Sequence, residues 1–176
     1  MTQRQPDPRK LDVAATAAAG LVLEGQWPVA DFERLAEGVA QDGDVAWSVR
    51  GQLRPVAGGE AEVWLHLAAR AKVRRECQRC LQPVALDLEV SRPLRFVADE
   101  TTAAALDADS EDDVLVASRN LDLHELVEDE LLLALPLVPK HERCPSNLPM
   151  AAGDVAAEPA PNPFAALAAL KRDSKR

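Results

Sequence analysis

The chain has few aromatic residues. Three Trp (Trp27, Trp47, Trp64), three Phe and no Tyr make up 3% of 176 residues. Hydrophobic residues reach 47%, many of them Ala, which predicts a buried core of modest volume built from Val, Leu and Ala. No run of about eighteen apolar residues occurs, which excludes a membrane-spanning helix. Met1 to Lys10 is polar and carries Pro6 and Pro8, and Leu11 to Leu23 is broken by Asp12, Thr16 and Gly20. Neither has the layout of a signal peptide, so a cytoplasmic location is expected. Dense positive charge is missing too: 20 Lys and Arg face 29 Asp and Glu, a formal net charge of −9. That balance argues against generic affinity for phosphate backbones and suits basic partners. Three cysteines, an odd number, make no disulfide framework in a reducing compartment, where a CxxC reads as metal site or redox pair. A Gly-rich phosphate loop, a Ser/His/Asp set and paired catalytic carboxylates are also lacking, so no enzyme activity is expected.

What the sequence does contain is alternation. Val45, Trp47, Val49 and Leu53 alternate with polar residues, predicting a strand with one buried face. Ala61, Val63, Leu65, Leu67, Ala69, Ala71 and Val73 repeat it over a longer span, and Val84, Leu86, Leu88 and Val90 resume it after the cysteine loop. Pro93 is expected to interrupt this strand before Leu94 and Phe96. These segments predict an antiparallel meander of at least three strands.

Around it, residues 1–18 read as a flexible lead-in, and Gly20 to Glu24 as a short strand. Pro28 opens a short helix with Phe32, Leu35, Ala36 and Val39 on its apolar face. Residues 99–113, rich in Ala, Thr, Asp and Glu, read as a mobile acidic insertion, after which Val114 to Val116 can return as a strand. Asp122 is placed to cap a helix reaching roughly Ala134, with Leu123, Leu126, Val127 and Leu131 inward and Glu125, Glu128 and Asp129 outward. Glu130 lies nearest the apolar stripe and is expected to be partly buried or paired. His66 and His124 look isolated, structural or solvated. Residues 149–163 form a Pro/Ala linker, and a last short helix carries Phe164, Leu167 and Leu170 on one face, a candidate partner-binding stripe. The expected fold is α+β: an antiparallel meander or small barrel-like sheet with two packed helices, spanning 19–148, and a tethered C-terminal helix in 149–176.

Two constellations carry chemistry. Cys77-x2-Cys80 and His141-x2-Cys144 together offer a Cys3His ligand set for a tetrahedral metal, zinc above all. The spacing leaves open two other readings: unlinked features, or a thiol-disulfide oxidoreductase at Cys77 and Cys80. The redox reading wants a helix N-terminus after the motif, whereas Pro83 and renewed alternation follow here. Arg70, Lys72 and Arg74 share one face of the long strand, and Arg75 and Arg79 continue it toward the loop. This basic patch either touches RNA phosphates or pairs with Asp87 and Glu89 across the hairpin.

Three stretches together carry a family likeness: Glu76-Cys-Gln-Arg-Cys80, Leu126-Val-Glu-Asp-Glu-Leu-Leu-Leu-Ala-Leu-Pro136 running into Val138-Pro139-x-His141, and Pro161-Asn-Pro-Phe-Ala-x-Leu-Ala-x-Leu-Lys171. In these the sequence resembles the bacterial YceD family, the large ribosomal RNA subunit accumulation proteins. The resemblance implies a non-enzymatic role in synthesis, processing or stability of 23S ribosomal RNA. Taken with that role, the acidic surface is expected to hold a basic ribosomal protein or large-subunit precursor as partner, with ribosomal RNA contact by the Arg70–Arg79 patch as the second version. Some relatives are richer in cysteine around Cys144; this chain has Cys144 alone there, with His141 nearby.

Overall fold

The computed structural model describes residues 6–40, 42–108 and 110–145. The alternating segments become three long antiparallel strands, β2 (Asp44–Arg54), β3 (Glu62–Glu76) and β4 (Pro83–Val97), with β1 (Val22–Pro28) added beside β2. Strand β5 (Asp113–Val116) pairs in parallel with β4, giving the order β1-β2-β3-β4-β5. The fold is α+β as expected. Its sheet stays open, with β1 and β5 as separate edges, and does not close into a barrel.

Register decides which side is core. Val45, Ala71 and Leu88 fall in one rung and Gly51, Leu65 and Leu94 in another, all buried on one face. The intervening rungs place Ala46, Arg70 and Glu89, all exposed, on the other. Pro93 does not stop β4. Strand β5 flanks only Leu94 to Val97, so Pro93 sits beside an unpaired edge, where proline is tolerated.

Residues 8–18 are not a loose lead-in. Leu11 exchanges backbone hydrogen bonds of 2.9 Å in both directions with Leu121, and both Leu11 and Val13 are fully buried. Asp12 caps α1 (Val13–Ala18) by accepting from the Ala15 N–H at 2.9 Å. The helix lies so close to β2 that a Cβ at Gly51 would collide with the Thr16 carbonyl oxygen. Two buried apolar residues flanking an Asp cap outweigh the polar start of the chain.

The acidic stretch after β4 is helical over Glu100–Asp107. Asp99 caps α3 (Glu100–Asp107), accepting from the Thr102 N–H at 2.9 Å and its hydroxyl at 2.8 Å, and Ala103 is buried. Parallel strands cannot be joined by a tight turn, and α3 supplies the crossover that lets β5 return beside β4. Its Ala content favours a helix and its acidic residues form a solvated side.

After β1 the chain makes a 3-10 turn (Val29–Asp31) and the one-turn α2 (Glu33–Ala36), which bury Val29, Phe32 and Leu35 completely. The last helix, α4 (Leu123–Ala134), starts where expected, with the Asp122 carboxylate accepting from His124 and Glu125 N–H groups at 2.9 and 3.3 Å. Leu123, Val127 and Leu131 are fully buried.

Glu128, expected to face outward, is turned inward. Its carboxylate accepts from the Arg34 and Leu35 N–H groups at 2.7 and 3.0 Å, capping α2 from outside, and from the Arg34 guanidinium at 3.0 and 3.1 Å. Burial pushes this carboxyl up, but the Leu35 N–H and the Arg34 guanidinium and N–H hold it below its ordinary range. Glu130 is buried and 3.4 Å from Arg92, both halves of what its position suggested.

His124 is not isolated: it stacks on Phe32 with ring centroids 4.1 Å apart, while Trp27 stacks on Trp47 at 4.4 Å. The compact unit holding these elements reaches Cys144. The expected linker and helix of 149–176, with Phe164, Leu167 and Leu170, lie outside the described residues.

Candidate metal centre

Strands β3 and β4 end together in a loop that the main core does not reach. Cys77, Cys80 and Val84 form a separate small buried cluster there, with Leu86 and Cys144 packed against it. The loop is set by two backbone hydrogen bonds of 2.9 Å, Cys77 N–H to Gln82 O and Leu81 N–H to Cys77 O. Leu81 takes a left-handed backbone, φ 59°, and is exposed. This tight return turns both thiols to the same side.

The second half arrives from beyond α4. Pro139, buried, accepts from the Gln78 N–H at 2.9 Å and fixes the arm that carries His141 and Cys144 against the loop. The four ligand atoms of Cys77, Cys80, His141 and Cys144 then lie within 4.8 Å of one another. The Cys77 and Cys144 sulfurs are 3.8 Å apart, and the Cys80 sulfur is 3.4 Å from His141 Nδ1. With metal–sulfur bonds of about 2.3 Å, the edge of a tetrahedron is about 3.8 Å, which the Cys77–Cys144 sulfur pair already matches.

The imidazole is oriented for the task. Its Nε2 is 3.0 Å from the Pro83 carbonyl oxygen, which can only accept, so the proton sits on Nε2. That turns Nδ1 toward the cysteines, where a metal would take its lone pair, the arrangement in which a ligating histidine donates its other N–H to a backbone carbonyl.

Electrostatics point the same way. Burial pushes the Cys77 thiol up, but N–H groups of His141, Arg79 and Cys80 and the His141 ring bring it down to about 5. Burial pushes Cys80 up, the Gln82 N–H opposes this, and the Cys144 and Cys77 sulfurs add to the rise. One thiolate is readily held in this pocket, while further negative charge calls for a cation. The donor set therefore fits a borderline-soft dication such as zinc.

The basic strand face is largely occupied. Arg70 pairs with Glu89 at 2.7 Å and Lys72 with Asp87 at 3.2 Å, the cross-hairpin pairs the pattern offered, and Arg74 pairs with Asp42 at 2.6 Å. Arg75 donates to the Gly38 carbonyl at 3.1 Å, and Arg79 turns into the metal centre. Sequence reasoning missed that role of Arg79; its position between the two cysteines was the available signal. It missed the Arg34–Glu128 cap as well, because nothing local links residues so far apart in the chain.

Among the described residues no helix is long and apolar enough to cross a membrane. No solved structure matches the chain. The family model for "Large ribosomal RNA subunit accumulation protein YceD" matches residues 65–171, which include all four ligand positions. The chain is 34% identical over 175 residues to the protein of that name from Haemophilus influenzae, covering 94% of this chain and 96% of that one. By both matches, the chain belongs to the YceD family.

Proposed function

We propose that this protein is a non-enzymatic cytoplasmic factor supporting synthesis, processing or stability of 23S ribosomal RNA, stapled by a structural zinc ion. The similarity to the Haemophilus influenzae protein over nearly the whole of both chains carries the functional part. The donor set supports the metal part: Cys77, Cys80, His141 and Cys144 would fill all four positions of a tetrahedral ion, leaving none for a reacting water. When bound, zinc ties the hairpin loop to the arm beyond α4 and supplies rigidity there. A thiol-disulfide oxidoreductase is not favoured, because a strand follows Cys77 and Cys80 in place of a helix N-terminus, and two further ligands crowd the pair.

The working mechanism is contact with a basic protein, a ribosomal protein or a large-subunit precursor. Glu125, Asp129 and Leu133 follow one line along α4, with Asp129 paired to Arg34 at 2.6 Å, and Leu133, Leu137 and Val138 are all exposed. An aliphatic ridge beside carboxylates suits an amphipathic basic segment. Direct contact of Arg70, Lys72, Arg74, Arg75 and Arg79 with ribosomal RNA has less support, since these groups already have partners within the chain.

The test is a tagged pull-down sorted on a sucrose gradient. Large-subunit precursors or ribosomal proteins are expected with the tagged chain, and fewer with Leu133→Asp/Leu137→Asp. Absence of both from the wild-type fractions overturns the proposal.

A further inference from the structure

We propose that Arg79 is the counter-ion and clamp of this metal centre, a positioning residue that fits it to a dication held by three thiolates and a neutral imidazole. The inference rests on the zinc reading above and adds a residue outside the ligand set.

Arg79 lies within the Cys77–Cys80 loop, yet its side chain crosses to the other ligand arm. Nε donates to the Cys144 sulfur at 2.9 Å, and Nη2 reaches the His141 carbonyl at 3.0 Å and the Glu142 carbonyl at 3.4 Å. One planar fork thus grips a ligand atom, the backbone of the ligand His141 and that of Glu142, the next residue toward Cys144. Of the three sulfurs, that of Cys144 is the one the guanidinium meets, while the Cys80 sulfur lies 3.4 Å from His141 Nδ1 and the Cys77 sulfur 3.8 Å from that of Cys144.

Charge supplies the second argument. Three thiolates around a dication leave one negative charge, and the neutral His141 does not cancel it. Arg79 does, at hydrogen-bond distance from the sulfur that belongs to the arm. A lysine carries the charge on a single point and cannot span the sulfur and two carbonyls together. Arg79 is a second tie on the arm beside the Gln78–Pro139 hydrogen bond, so removing it would loosen Cys144 and His141 around the ion. The same contacts turn Arg79 away from a phosphate-binding role.

The experiment compares the wild-type full chain with R79Q, R79K and R75Q by cobalt(II) spectroscopy and zinc competition against a chromophoric chelator. R79Q is expected to lose about 10- to 100-fold in zinc affinity, the usual effect of removing an outer partner of a ligand. Its sulfur-to-cobalt charge-transfer band should move to longer wavelength, because a sulfur without its cation gives up electron density more easily. R79K should recover part of the affinity and part of the shift, whereas R75Q, an arginine that touches no ligand atom, should match wild type. Affinity within twofold of wild type and an unmoved band in R79Q overturn the proposal. Should R79Q fail to fold, R79K decides, since wild-type affinity and band there overturn the clamp. A wild-type chain that binds neither cobalt nor zinc overturns the metal reading itself, a failure visible before any variant is made.

Discussion

At the open end of the β3–β4 hairpin, Leu65, Leu94 and Phe96 join Leu123, Val127 and Leu131 of α4 in one apolar cluster. At its closed end, the separate buried cluster is just Cys77, Cys80 and Val84, with Leu86 and Cys144 beside them. The two ends belong to the same pair of fifteen-residue strands, so strand propensity does not distinguish them. What differs is the volume available to bury. Each large aliphatic side chain removed from water contributes about 1.5 to 3 kcal/mol, and the open end has many where the closed end has almost none. Ligand bonds can stand where apolar burial is too small, much as metals do in domains too small for a core.

That contrast breaks first at the metal. Cys77→Ser, or chelation of the wild type, is expected to abolish tight zinc binding and to release backbone amides of residues 76–83 and 139–144 in hydrogen exchange, while β2 and α4 keep their protection. Leu131→Ala is the mirror experiment: it should cost about 2 to 5 kcal/mol in global unfolding and leave zinc content unchanged. If chelation unfolds the whole chain, or Leu131→Ala empties the metal site, the two ends are not independent.

The same contrast explains what could be read from the sequence. Both ends of the hairpin were legible, one as period-two alternation and the other as cysteine spacing, and so was α4 from its Asp122 cap. The open end also contains a crossover helix, α3, whose acidic composition resembles that of a loop. Its order comes from Asp99 capping and from β5 pairing with β4, partners the local sequence does not name. Leu11 and Val13 were likewise hidden, because their burial depends on Leu121 and on a glycine in β2. The His141–Cys144 arm showed its residue types; that it meets the loop follows from Pro139 and Arg79, which are tertiary contacts.

Within the open end, Glu128 joins two elements by polar means. Glu128→Ala leaves the Leu35 N–H buried without its acceptor and the Arg34 guanidinium with Asp129 alone, at 2.6 Å. A loss of about 1 to 3 kcal/mol in urea unfolding is expected, the usual cost of an unpaired buried donor. Metal affinity should not move, since no ligand lies near. A change below about 0.5 kcal/mol, the range of ordinary surface substitutions, would show that α2 needs no such cap.

A pH dependence also belongs to the open end. Burial lowers the His124 pKa below 6.5, Arg9 adds to this, and Asp122, Glu128 and Asp31 oppose it. The unfolded chain therefore binds the proton more readily, and stability falls as pH drops below about 6.5, by at most about 1.4 kcal/mol per pH unit for one such group. His66 is lowered by burial and by Arg54 and Arg50, with Asp112 opposing, and adds in the same direction. Glu130 is raised, mainly by burial, and acts oppositely at lower pH. His124→Phe keeps the ring on Phe32 and removes an Nε2 that is buried without a partner. Urea midpoints at pH 7.5 and 5.5 should fall less in this variant than in wild type at equal zinc content. Equal falls would remove His124 as the source.

The smallest effect is expected on the open sheet face. Arg70–Glu89 and Lys72–Asp87 have side chains 66 to 79% exposed, so water competes for every contact. Such pairs contribute about 0 to 1 kcal/mol and are screened beyond about 10 Å at 0.1 M salt. Arg70→Gln/Lys72→Gln should leave the unfolding midpoint and zinc affinity nearly unchanged, because neither residue reaches the core or the ligand arm. The informative measurement is the gradient profile. If removing these two charges strips the protein from large-subunit precursors while Leu133→Asp/Leu137→Asp does not, the strand face and not the α4 ridge makes the contact, and the salt dependence of that association reports how many phosphates it meets.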